Sequence, residues 1–195
     1  MNSRPSSARS PHACSTSQKV DALTTSLPKH HFIAGPRTEL IAWNERLIDA
    51  FVVTDQQAAE LALDVRFAEP FGPPPETGDV LEFFRGMLEH DVHGALFAPR
   101  LIVRRSDRMA VGSIGMTPPD DDGHAMIGYS VYPAFEGQGY ASEAAVALVE
   151  YGLAIDGIAG IYATIHPGNT CSEIVAGRAG LVFTGEERFE DDERL

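Results

Sequence analysis

The stretch Tyr132-Pro133-Ala134-Phe135-Glu136-Gly137-Gln138-Gly139-Tyr140-Ala141-Ser142-Glu143 decides how this chain folds. An apolar strand pattern enters it and an alanine-rich helix pattern leaves it at Tyr140. Two glycines one residue apart permit left-handed backbone and expose consecutive N–H groups at the positive end of a helix dipole. Such a turn binds phosphate or pyrophosphate. The same spacing also suits a tight turn with no ligand, so the neighbouring segments must decide.

Upstream, LIVRR (101–105), a polar turn at Ser106-Asp107-Arg108 and MAVGSIGM (109–116) read as a hairpin. Pro118 to Gly123 is a loop, and AMIGYSVY (125–132) is a third strand. Downstream, a helix from Tyr140 to about Ile155 places Ala141, Ala144, Ala145 and Leu148 near one face. IYATIH (161–166) is the next strand, a short helix follows from about Cys171 to Arg178, and LVF (181–183) opens a last strand. Nearer the start, Arg37 to Val53 reads as a strand and then a second strand or a helix start. Thr54 or Asp55 can cap a helix over QQAAELALDV. The run Phe71-Gly72-Pro73-Pro74-Pro75 breaks it, and VLEFFRGMLEHDV (80–92) forms another helix. This order gives an α/β (α+β) fold: a mixed, mostly antiparallel sheet flanked by helices, with one parallel crossover.

The 195 residues, 44% of them hydrophobic, suffice for one domain with a full core. Residues 1–31, rich in Ser and Pro, read as a disordered tail, and 32–195 as a single domain. The net charge is −13, and the body beyond the tail contains no lysine. Such acidity argues against nucleic acid and anionic membrane surfaces and mildly favours cationic small molecules or basic peptides, with solubility alone as its other reading. Cys14 and Cys171 are too few for a disulfide framework or a zinc cluster, so we expect a reducing cytoplasm and no metal. No apolar run is long enough to cross a membrane.

Three phosphate loops compete for the glycine segment. A Walker loop needs Lys-Ser/Thr where Tyr140-Ala141 stands. A dinucleotide fingerprint wants a third glycine or alanine where Ser142 stands, and an acidic residue ending the next strand, which closes on Thr164-Ile165-His166. The third has support from several segments. Ile127-Gly128-Tyr129-Ser130-Val131-Tyr132-Pro133 with Glu136-Gly137-Gln138-Gly139-Tyr140-Ala141 resembles the cofactor motif of the GNAT superfamily of N-acetyltransferases. His166-Pro167-Gly168-Asn169-Thr170-Cys171-Ser172 and Gly180-Leu181-Val182-Phe183 resemble its later motif. The combination is most similar to the branch containing ribosomal-protein N-terminal acetyltransferases and their small-molecule relatives.

The resemblance implies an acetyl-CoA-dependent N-acetyltransferase acting on a primary amine of a small molecule or a peptide N-terminus. A bulge before the loop would free backbone groups at Ser130, Val131 and Tyr132 for the thioester and pantetheine. The amides of Gly137, Gln138, Gly139, Tyr140 and Ala141 would hold the pyrophosphate. Asn169 would contact pantetheine or order its loop, with a helix cap as its other reading. Ser172 matches the proton donor to the leaving thiolate, with a helix-start hydroxyl as its other reading. Tyr129 is the second catalytic candidate. Glu143 suits dipole stabilisation better than base catalysis, and Cys171 suits a small buried residue. Three positions depart from the pattern: Glu136 stands where Arg or Gln is usual, the later Gly-Phe pair is loosened, and the last helix has no tyrosine. They keep a non-catalytic acyl-CoA-binding domain open as the alternative. Relatives often pair, but nothing in the sequence fixes a homodimer.

Overall fold

The computed structural model describes residues 33–89 and 96–185. The expected tail over 1–31, the end of the 80–92 helix and the acidic C-terminus beyond 185 lie outside the described residues. Six strands form one sheet in sequence order: β1 (Ile33–Ala34), β2 (Thr38–Ala42), β3 (Arg100–Arg104), β4 (Met109–Met116), β5 (His124–Val131) and β6 (Gly160–Tyr162). Every neighbouring pair is antiparallel except β5 and β6, which are parallel. The helices are α1 (Glu45–Val52), α2 (Gln56–Leu63), α3 (Leu81–Glu89), α4 (Tyr140–Leu153) and α5 (Thr170–Arg178). The ambiguous segment after β2 is thus a helix, begun by Asn44, whose side chain accepts from the Leu47 amide. Asp55 caps α2 in the same way.

Strand alternation splits the core into two layers. Leu101 and Val103 face α1 and α2 with Leu47, Ile48 and Phe51. Ile102, Val111 and Ile127 face α4 with Ala144 and Leu148. The alanines of α4 let it lie close on the sheet, and this fixes where its first turn sits.

Two expectations are corrected. The strand expected over 161–166 ends at Tyr162, and no strand forms over 181–185. A strand needs a partner edge, and β6 is only three residues long, so Val182 and Phe183 stay exposed at 80% and 84%.

Candidate functional site

β5 is paired along two edges of unequal length. Toward β4 the ladder runs without a register shift from Met116↔Ile127 to Gly112↔Val131. Toward β6 it stops after Met126↔Tyr162. The strands part there, and the far edge of β5 from Ile127 to Val131 is left open. The Thr117 amide donates to the Met126 carbonyl and the Tyr132 amide to the Val111 carbonyl, so even-numbered backbone groups point at β4. Alternation turns the backbone groups of Ile127, Tyr129 and Val131 to the open side. The expected bulge in β5 is absent; divergence of the sheet frees the edge instead. Of the predicted trio only Val131 has its backbone on this edge: alternation turns the Ser130 backbone toward β4, and the Tyr132 amide is spent there too.

The glycine turn follows. Pro133–Phe135 forms one 3₁₀ turn, after which Gly137 and Gly139 take φ of 70° and 84°. Only glycine adopts these without strain. A Cβ at Gly137 would meet no atom within 4 Å, so the space beside the turn is open. Asn44, Asp55 and Asn169 cap other helices with side chains, but Gly139 begins α4 with none. The first α4 bond is the Glu143 amide to the Gly139 carbonyl, so the Tyr140, Ala141 and Ser142 amides have no intrahelical acceptor. Glu136 is exposed and Gln138 is turned back, its amide nitrogen donating to the Ala134 carbonyl. The cradle therefore fits a pyrophosphate through backbone donors, with the departing carboxylate facing solvent.

Three arginines from distant segments converge on this turn. Arg37 donates to the Gln138 carbonyl at 3.1 Å and stacks 4.9 Å from the Tyr140 ring centroid. Arg104 donates to the Tyr140 hydroxyl and Arg178 to the Ser142 hydroxyl. Asp107 neutralises Arg104 at 2.7 Å. Nothing in the glycine motif announces these residues, because 37, 104 and 178 are joined to it only by the fold.

Glu143 belongs to the scaffold. Its Oε1 accepts from the Arg37 amide (2.6 Å), the Thr38 amide (2.8 Å) and the Thr38 hydroxyl (2.8 Å), and Oε2 accepts from Arg37 Nε (3.0 Å). Burial opposes its ionisation, but the bonds from Thr38 and Arg37 outweigh it and hold the carboxyl below its ordinary value. Such a group makes a poor base.

Tyr129 and Ser172 come together: the Tyr129 phenol donates to the Ser172 carbonyl at 2.8 Å. Burial pushes that phenol up, so it stays protonated at neutral pH. Asn169 takes its capping role, its Oδ1 accepting from the Ser172 amide at 3.1 Å. Cys171 is exposed, against the expectation of a buried residue. Among the described residues no His/Cys/Asp/Glu group could hold a metal, and no helix is long and apolar enough to cross a membrane.

On the other face of β4 and β5 lies a cavity of about 400 Å³ between the sheet, α3 and the loop from Pro75 to Val80. Its floor is the Gly115–Gly128 pair, and Phe83, Phe84 and Met87 form one wall. Ser130 belongs to this lining, and its hydroxyl is buried without a hydrogen-bond partner. Acidity here is slight: Glu76 is the single carboxylate among the described lining residues.

A family profile described as an acetyltransferase (GNAT) domain matches residues 37–182. Comparison with curated proteins finds no match. Among solved structures, the chain is similar to a GNAT-family acetyltransferase from Bacillus anthracis (22% identity, TM-score 0.51), covering 76% of this chain and 82% of that one. It is also similar to RimL, a ribosomal L7/L12 α-N-protein acetyltransferase in complex with coenzyme A (19%, TM-score 0.53, 76% and 82% covered). A third is the spermidine N-acetyltransferase from Vibrio cholerae in complex with CoA and spermine (17%, TM-score 0.52, 76% and 83% covered). At these identities the likeness is one of fold.

Proposed function

This chain belongs to the acetyltransferase (GNAT) family, and we propose that it transfers an acetyl group from acetyl-CoA to a primary amine in the cytoplasm. The open β5 edge, ending in an uncapped glycine turn at α4, is the observation that carries this reading. Two of the similar structures are complexes with CoA, which supports the same cofactor here.

When bound, the cofactor supplies an acetyl thioester: a C–N bond forms to the amine as the C–S bond breaks, and the amine's proton passes, net, to the thiol. The amides of Gly137 to Ala141, with Arg178 beside them, would hold the pyrophosphate by hydrogen bonding and charge, while Arg37, paired with Glu143, braces the turn through the Gln138 carbonyl. The outward backbone groups of Tyr129 and Val131 align the extended arm as an added strand would. Ser172, whose carbonyl and amide are held by Tyr129 and Asn169, donates a proton to the departing sulfur in this reading. Asn169 and Tyr129 act as positioning residues, the first through the Ser172 amide and the second through its carbonyl. Among the described residues no side chain lining the cavity has the partners of a strong base, and water is the proton acceptor this reading assigns. A titration of acetyl-CoA with free-thiol release on an amine panel tests this. Binding without turnover on any amine would favour a non-catalytic acyl-CoA-binding domain, and absence of binding at millimolar cofactor would reject both.

A further inference from the structure

We propose that the acceptor is a primary monoamine carried on an apolar, ring-sized body that fills the cavity between α3 and the β4–β5 floor; this rests on the acetyl-transfer reading above. The wall supplies Phe83, Phe84 and Met87, and Phe83 keeps 64% exposure at the opening. An exposed aromatic beside a concave apolar surface marks a ligand contact better than a packing residue. The floor is made of two glycines paired across the strands, which leave a hollow where side chains would stand. A Cβ added at Gly128 would meet nothing within 4 Å. The Ser130 residue lines the same space, and its hydroxyl is buried beneath the surface without a partner. A rotation about the Ser130 Cα–Cβ bond would bring that oxygen to a neutral amine entering from α3, at the strand whose other edge is open to the cofactor, and would satisfy it.

Charge argues against polyamines. Although the protein carries −13 overall, Glu76 is the single carboxylate among the described lining residues, and it lies exposed in the rim loop. Its backbone has φ of 64°, a region non-glycine residues seldom occupy. Thr77, whose amide and hydroxyl both donate to the Pro74 carbonyl, holds that turn. One fixed rim carboxylate can answer one ammonium. Among the described residues a second ammonium would find no counter-charge beside Phe83, Phe84 and Met87, and burying it there is costly.

The test is an acetylation series from ethylamine to hexylamine, then phenethylamine, Phe-Gly-Gly and spermidine, with wild type, Gly128→Leu and Phe83→Ala. The linear amines share nearly one basicity, so the series isolates buried area. The expected kcat/KM rises about fourfold per methylene, and spermidine falls about a hundredfold or more below phenethylamine. Phenethylamine and Phe-Gly-Gly distinguish a free amine from a peptide N-terminus as the source, and either as the better substrate supports the proposal. Gly128→Leu raises the KM for phenethylamine roughly tenfold or more while the CoA dissociation constant and thermal midpoint hold; Phe83→Ala raises it less. A flat series, spermidine equal to phenethylamine, or an unchanged KM in Gly128→Leu would overturn the proposal. Should acetyl-CoA fail to bind, the proposed function falls, and calorimetric binding of phenethylamine decides the cavity alone. Binding lost in Gly128→Leu supports it, whereas no binding, or equal binding by both proteins, rejects it.

Discussion

Replacing Glu143 with glutamine separates a scaffold carboxylate from a catalytic one. Thr38, which provides two of its four donors, is fully buried, and the Glu143 side chain is itself only 10% exposed. Glutamine keeps one carbonyl oxygen for the three donors on Oε1, but each bond loses its charge assistance. Its NH₂ then confronts Arg37 Nε. Charge-assisted bonds contribute about 1.5–3 kcal/mol and neutral ones about 1, so with allowance for non-additivity the loss is about 2–4 kcal/mol. For a domain of this size that is about 5–10 °C in thermal midpoint. Gly35→Ala should act on the same node, because its Cβ would come within 2.6 Å of Glu143 Oε1 and 2.8 Å of Thr38 Oγ1. The double variant should therefore cost less than the sum of the singles. The pH dependence has a definite sign. The folded carboxyl lies below its ordinary 4.5, so its contribution is fully present above about that pH and is lost as pH falls through the folded value. Urea melts from pH 7 to 3.5 should show the wild-type advantage over Glu143→Gln shrinking toward the acid end. At low temperature, where the variant is folded, kcat should stay within a few-fold of wild type. An unchanged urea midpoint with kcat down a hundredfold or more would refute the scaffold role and make Glu143 the base.

Gly137→Ala forces a side chain into φ of 70° without meeting any neighbour. It should cost about 1–2 kcal/mol of stability and weaken cofactor binding by a larger factor than any other single methyl group, by calorimetry. Arg178→Ala removes a cation beside Ser142, so cofactor affinity should fall about fivefold at low salt and less at high salt. Ser172→Ala leaves the main-chain cap from Asn169 in place. Its thermal midpoint should therefore hold while kcat falls, and the loss should be smaller with an acyl donor whose thiol is more acidic. Tyr129→Phe removes the bond to the Ser172 carbonyl and should cost about 1 kcal/mol, with a kcat loss no larger than that of Ser172→Ala.

What the sequence made legible follows its local signals. The glycine turn was readable because positive φ and a helix start are written in adjacent residues, and the β3–β4 hairpin because its alternation and its turn are contiguous. The antiparallel meander and single crossover followed from that order. The helix α1 was ambiguous: Trp43 to Val53 is apolar enough for either periodicity, and only Asn44 as a cap tips it. The strand expected at 181–183 failed because a short apolar run cannot report whether an edge awaits it. In the site, the backbone donors were legible and the side chains were not. Arg37, Arg104 and Arg178 reach the turn through tertiary structure, and the cavity depends on α3 closing over two glycines of the sheet. The overall charge misled about that cavity, since acidity spread over a surface says little about one concave patch.

If the parted β5 edge and the Gly137–Ala141 turn form one coenzyme A site, a single ligand series should report on both. Calorimetric titration of CoA into wild type and Gly137→Ala, beside titration of pantetheine and of 3′,5′-ADP, tests this most directly. The expected result is one site per chain, CoA tighter than either fragment, and a loss in Gly137→Ala that affects CoA and 3′,5′-ADP but spares pantetheine. Equal affinity of wild type and variant for CoA, or no heat at millimolar CoA, would contradict it.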